Sequence, residues 1–216
     1  MIPVLALLIC LVTTAADAQG LPLPLPDSEH RAWQAIGRVN IRGYNRRGMC
    51  SGTLIASDRV LTAAHCVLRN GRVVRTRDVV FVAGWHRGTH AGAATARDIH
   101  LFAEVRDGDL TPARDLALLT LERAMDLPPL PLAQDQPPGP FALIGYLGTR
   151  PHVLSASFGC QGRWHNMLHL DCPTLPGNSG GPVLSYGAEG WAVVGVVSQS
   201  SRSGLTAARI EQLPAD

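Results

Sequence analysis

The chain has 216 residues, 46% of them apolar and 17% charged, with a formal net charge of +2. That balance points to neither a nucleic-acid partner nor an acidic tail, and the length suffices for one large or two small domains. With 22 Gly, 16 Pro and no long helical periodicity, short strands joined by turns are expected.

In chain order, the first segment is an apolar run from Pro3 to Val12, followed by the small-residue site Ala16–Asp17–Ala18. The run is too short for a membrane span and reads as a secretory signal peptide over residues 1–18. Cys10 leaves with it, and the Leu-Leu-Ile before it is a poor lipid-attachment signal. The mature chain is therefore expected outside the cytoplasm, in the periplasm or the medium, without a membrane anchor. Next, "LPLPLPDSEHR" (Leu21 to Arg31) reads as an extended, polyproline-like leader or pro-segment over residues 19–32.

From Trp33 the pattern changes to short apolar runs between turns. "AIGRVNI", "GTLIA", "RVLTAA", "VVFVAGW" and "LALLTL" are predicted strands of a first unit. "PPLPLAQDQPPGP" (Pro128 to Pro140) is the connection to a second unit, whose predicted strands are "FALIGYL", "HVLSASFG", "MLHLDC", "GPVLS" and "WAVVGVVSQ". Many short strands at even spacing imply an all-β sandwich or barrel pair rather than βαβ units. The tail "LTAARIEQL" (Leu205 to Leu213) is rich in helix formers and is predicted as a short terminal helix.

Once the signal is removed, Cys50, Cys66, Cys160 and Cys172 remain. In an exported chain an even count reads as two disulfides, with three possible connectivities. Proximity favours Cys50–Cys66 and Cys160–Cys172, each closing a short loop worth about 3 kcal/mol in the chain-entropy model. A four-thiolate zinc site would want a C-x-x-C pair, and none is present. His165 and His169 have helical ligand spacing but fall in a predicted strand, so no metal or other cofactor is expected.

One stretch is shaped for chemistry. In "LPGNSGGPVL" (Leu175 to Leu184) Ser179 sits among three glycines and two prolines. An ordinary turn would explain such a composition. A serine hydroxyl, however, becomes a nucleophile when a histidine accepts its proton and a third group orients that histidine. His65, in "VLTAAHCV", lies at the end of an apolar strand beside Cys66. Asp115 precedes "LALLTL", and a carboxylate in such apolar surroundings is costly unless hydrogen-bonded, which suits one that holds an imidazole. A strand-end histidine and a turn-capping aspartate are the plainer readings of these two residues.

Taken together, "CSGTLIA…VLTAAHC", "RDLALLTL" and "PGNSGGPV" resemble the His, Asp and Ser motifs of the trypsin/chymotrypsin-like serine peptidases, in that order along the chain. The chain is most similar to the bacterial secreted trypsin-like and glutamyl-endopeptidase-like members. The resemblance implies an all-β fold of two antiparallel six-stranded barrels. It sets a peptidase domain at 33–216, with an N-terminal barrel at about 33–127 and a C-terminal barrel at about 140–213. It further implies an endopeptidase working through an acyl-enzyme, with His65, Asp115 and Ser179 as the triad. Gly177 and Ser179 would supply the oxyanion-binding amides, and Ser198 would hydrogen-bond the triad aspartate. A protein or peptide substrate, a monomeric state, no nucleic acid and no membrane go with it. The order His, Asp, Ser disfavours an α/β-hydrolase, which would also want a G-x-S-x-G elbow. The rival is a catalytically idle, protease-like binding protein.

Asn178 departs from the animal enzymes, which carry an aspartate that pairs with a newly cut N-terminal ammonium. No such activation junction precedes Ile36, so the oxyanion loop is expected to be ordered by local hydrogen bonds. Pro173, Thr174, Val197 and Gln199 align with substrate-pocket positions. Pro173 stands where trypsin-type enzymes carry an acid, so no preference for basic side chains is expected. Asp171 is the nearest upstream acid.

Overall fold

Buried and half-buried side chains alternate along Val79–Ala83 and Ala117–Leu121, the period-two signature of a strand with one face in a core. The structure is a computed structural model that describes residues 21–41, 48–102, 110–201 and 204–212. The predicted signal peptide, Cys10 included, lies outside the described residues. In chain order the strands are β1 (Leu23–Pro24), β2 (Ile36–Ile41), β3 (Met49–Ala56), β4 (Arg59–Thr62), β5 (Leu68–Arg69), β6 (Arg72–Val73), β7 (Val79–Ala83), β8 (Gly92–Leu101) and β9 (Ala117–Leu121). The second half adds β10 (Phe141–Leu147), β11 (Arg150–Cys160), β12 (Gly162–Trp164), β13 (Leu168–Leu170), β14 (Pro182–Gly187), β15 (Gly190–Ser201) and β16 (Gly204–Arg209).

The first half closes into a six-stranded barrel in the order β2-β3-β4-β9-β8-β7. Val39, Leu54, Val60, Phe81, Leu119 and Leu121 fill its interior. The second half differs from the expected closed six-stranded barrel. It is an eight-stranded sheet, β1-β11-β10-β14-β15-β16-β13-β12, whose two ends are not hydrogen-bonded to each other. The sheet still curls, because β11 and β12 are separated by Gln161 alone yet pair toward opposite ends of the strand order. Leu143, Leu168, Val183, Val194 and Val197 form its core. A third cluster joins the halves: Ile36, Leu61 and Leu116 from the first meet Ile144, Tyr146, Leu154 and Val196 from the second. Burying a side chain of this size contributes about 1.5–3 kcal/mol, so the seam between the halves is a core in its own right.

The connection from Pro128 to Pro140 touches both halves: Leu130 N donates to Leu54 O (3.0 Å) and Ala133 N to Val193 O (2.8 Å). Two local expectations give way to tertiary pairing. Leu205–Arg209 is strand β16 rather than helix, held between β13 and β15, and only Ile210–Gln212 forms a single 3-10 turn. Leu205, Ala207 and Ala208 are buried there, and two flanking strands outweigh a preference of a few tenths of a kcal/mol per residue for helix. The leader segment is not extended throughout either. Leu23 and Pro24 pair with Ala156 and Ser155 of β11, and Asp27–Trp33 winds into a 3-10 helix that buries His30 and Trp33.

Candidate active site

Strand β4 ends at Thr62, and the next residues form a 3-10 turn, Ala64–Val67, that carries His65. The Cys50–Cys66 disulfide ties this turn to β3, and Cys160–Cys172 closes the second predicted loop. Asp115 follows the 3-10 turn Pro112–Arg114 and is 2% exposed. Its carboxylate is held on both oxygens. Oδ1 accepts from the His65 backbone N–H (2.8 Å), while Oδ2 lies 2.6 Å from His65 Nδ1 and accepts from Ser198 Oγ at 2.5 Å. Burial opposes ionisation of Asp115, but the hydrogen bonds from His65, the imidazole's charge and the Ser198 hydroxyl together hold its carboxyl below the usual range. With the Nδ1 proton donated to the Asp115 carboxylate, Nε2 is the remaining ring nitrogen able to take a proton.

The segment Leu175–Gly181 is folded against this pair. The Ser179 carbonyl accepts from Ser51 N (2.8 Å), and Gly180 N donates to Val197 O (2.8 Å). Gly180 has φ +78°, and a Cβ there would stand 2.2 Å from Thr62 Oγ1 and 3.0 Å from Ala63 N. Only glycine fits, because any side chain would collide with the strand end that leads into His65. Ser179 itself is half-buried. Among the described residues no hydrogen bond joins its hydroxyl to the His65 ring, whose Nε2 lies 3.7 Å from Cys66 Sγ.

The amides next to Ser179 have a definite orientation. Pro176 O accepts from Gly148 N (2.6 Å) and Asn178 O from Gly181 N (2.8 Å). In a trans peptide the N–H points opposite to the carbonyl. The N–H groups of Gly177 and Ser179 are therefore turned away from those partners, and neither has an acceptor among the described residues. Gly177 has φ +106°, and a Cβ there would lie 2.6 Å from Gly148 N. Asn178 is fully buried; its Nδ2 donates to Tyr146 O (3.2 Å) and its Oδ1 accepts from Leu175 N (3.4 Å). The bond to Leu175 is local, and the bond to Tyr146 ties Asn178 to strand β10.

The pocket residues do not gather in one place. Gln199 is exposed and shares a cleft of about 240 Å³ with His65, Leu110, Pro112, Asp115 and Ser198. Pro173 lines a separate apolar groove of about 490 Å³, with Leu25, Phe158 and Cys172 among its walls. Thr174 and Val197 are buried, and Asp171 Oδ1 accepts from Gln161 N at 2.8 Å. Among the described residues the candidate ligand cluster is Cys50, His65 and Cys66, and a metal role is not supported there, since both sulfurs are spent in the disulfide. Ser51, Thr62 and Tyr146 were not singled out from sequence, although two of them stand inside the quoted motifs. Ser51 meets Tyr146 across 95 residues and Gly177 across 126, separations that no local pattern carries.

A family model for the trypsin-like peptidase domain matches residues 50–196. The chain belongs to the trypsin-like peptidase family. It is a serine endopeptidase, a hydrolase. The fold agrees with two solved structures. One is the thermostable serine protease AL20 from an extremophilic microorganism, at 22% identity and a TM-score of 0.68 over 83% of this chain and 92% of that one. The other is the protease Anisep from Arthrobacter nicotinovorans, at 18% identity and 0.67 over 82% and 90%. Within this trypsin-like peptidase no helix among the described residues is long and apolar enough to cross a membrane.

Proposed function

We propose that this peptidase is secreted and cleaves peptide bonds through an acyl-enzyme, with Ser179 as nucleophile, His65 as general base and acid, and Asp115 as the group that orients His65. As Ser179 Oγ attacks the scissile carbonyl carbon, its proton passes to His65 Nε2. The carbonyl oxygen takes up negative charge and receives hydrogen bonds from Gly177 N–H and Ser179 N–H, each worth about 3 kcal/mol in the transition state. His65 then protonates the leaving amine, the C–N bond breaks, and water repeats the sequence to release the acyl group. The observation that carries this reading is the Asp115 carboxylate, buried and bonded to His65 through both oxygens. Costly burial of a charge is justified where that charge stabilises an imidazolium. Secretion is supported by the N-terminal apolar run and the two disulfides.

Labelling with a fluorophosphonate probe tests the assignment. Wild-type protein, recovered outside the cytoplasm with its first residue at Gln19, is expected to label, and Ser179→Ala is not. A folded wild type that fails to label refutes the acyl-enzyme reading and leaves a protease-like binding protein.

A further inference from the structure

Resting on that reading, we propose that Ser51 is a positioning residue for the oxyanion-binding amides, acting through its hydroxyl on the peptide that joins Gly177 to Asn178. Ser51 is fully buried on β3, in the other half of the molecule from the loop it holds. Its Oγ donates to Gly177 O (2.8 Å) and accepts from Tyr146 N (2.9 Å), so the single hydroxyl proton and a lone pair are both committed. Its backbone N–H donates to Ser179 O (2.8 Å), and its carbonyl accepts from Thr62 Oγ1 (2.8 Å). One residue thus ties together the oxyanion loop, the nucleophile's carbonyl, strand β10 and the strand end before His65.

The need for such a tie follows from glycine. Gly177 stands at φ +106°, and a glycine backbone rotates among left- and right-handed states at little cost. For the Gly177 and Ser179 amides to face the cleft, the Pro176 and Asn178 carbonyls must face away from it, and the Gly177–Asn178 peptide joins these two units. Gly148 N holds the Pro176 carbonyl and Gly181 N the Asn178 carbonyl; Ser51 holds the Gly177 carbonyl between them through its side chain and the Ser179 carbonyl through its backbone. Removing the hydroxyl leaves the middle peptide held through its Asn178 N–H, which donates to Leu175 O (3.1 Å), and so able to tilt about Gly177, while the backbone bond to Ser179 stays. The nucleophile should keep its place and the oxyanion donors should lose theirs.

The test is Ser51→Ala, with Ser51→Gly as a second variant, each compared with wild type and Ser179→Ala by fluorophosphonate labelling and by acylation with p-nitrophenyl acetate. Outright loss of one oxyanion donor costs about 100- to 1,000-fold in related sites. A misaligned loop should cost less, about 10- to 100-fold in the acylation rate constant, with the apparent binding constant for the ester within about twofold. The pH midpoint of acylation should not move, since the hydroxyl does not touch the imidazole. A folded Ser51→Ala or Ser51→Gly protein that acylates at the wild-type rate overturns the proposal. So does a loss that appears wholly in ester binding or as a shifted pH midpoint. A wild type that labels no better than Ser179→Ala would instead refute the acyl-enzyme reading itself, so the two failures are distinct.

Discussion

Replacing Asn178 by aspartate tests how the oxyanion loop is ordered. The two side chains have the same shape, so the change exchanges one amide donor for an acceptor and adds a charge. Asn178 Nδ2 donates to Tyr146 O at 3.2 Å in a fully buried site. Truncation to alanine removes this bond and the one to Leu175 N, each worth about 1 kcal/mol net. Leaving the Leu175 N–H without its acceptor adds about 1–2 kcal/mol, so Asn178→Ala should cost about 3–4 kcal/mol. Asn178→Asp should cost more at pH 8, because a carboxylate oxygen would face a carbonyl oxygen and an unpaired charge would be buried. Burial raises that carboxyl's folded-state pKa above its unfolded value. The penalty is therefore present at high pH and relieved as pH falls through the folded-state pKa, where the protonated acid regains a donor. Urea unfolding of both variants at pH 8 and pH 5, each relative to wild type at the same pH, reads the effect, with fluorophosphonate labelling as the functional measure. An Asp variant as stable and reactive as wild type at pH 8 would mean that a cation reaches this site and that neutral hydrogen bonds do not order the loop.

Two further outcomes follow from the same geometry. Replacing Cys160 and Cys172 together by serine opens a loop with a sequence separation of 12, worth about 3 kcal/mol in the chain-entropy model. At this chain length the thermal midpoint should fall by roughly 6–12 °C, and a fall under about 2 °C would show that the crosslink adds no stability. Ser198→Ala removes a charge-assisted bond to Asp115 Oδ2, a contribution of about 1.5–3 kcal/mol. Because the folded-state carboxyl is held low, its stabilisation is present above the unfolded value of about 3.9 and lost as pH falls through the folded value. In the variant that loss should begin at a higher pH, measured as unfolding free energy between pH 2 and 6; identical acid profiles would refute it.

The strands legible in the sequence are those whose apolar residues stand together, such as Phe141–Leu147, buried at every position. Strand β8 escaped notice because its ten residues include Arg97, Asp98 and His100, and because a register shift between Ala96 and Asp98 breaks the alternation. Strand β16 was misread for another reason. Its local preference is helical, and only the two strands beside it reverse that preference. Of the proposed site residues, His65, Asp115 and Ser179 stand in short motifs that each carry a turn, whereas Ser198, inside strand β15, was offered by the family resemblance alone. Ser51 could not be picked out, since its hydroxyl acts on Gly177, 126 residues away, and a serine in a strand is otherwise unremarkable. The side chains around the substrate groove were the least legible. The chain around Cys172–Pro173 opens on a different groove from Gln199, so position counting alone could not assemble a pocket.

The distribution of these contacts between the halves has a consequence for how the site fails. Asp115 belongs to the first barrel, and its hydroxyl partner Ser198 comes from β15 of the second half. Gly177 and Ser179 belong to the second half, and both are held by Ser51 of the first. Each half thus supplies the restraint for the other's functional group, and neither can form a working site alone. Separation of the halves would cost Asp115 its Ser198 bond and release the Gly177 and Ser179 carbonyls in one event, while the His65 bonds to Asp115 stay within the first barrel. What opposes it is the apolar seam of Ile36, Leu61, Leu116, Ile144 and Tyr146, each at most 0% exposed. Weakening that seam by a single large-to-small change, at about 2–5 kcal/mol, therefore acts on catalysis and stability together, whereas an equal loss inside the first barrel core acts on stability with the catalytic contacts intact.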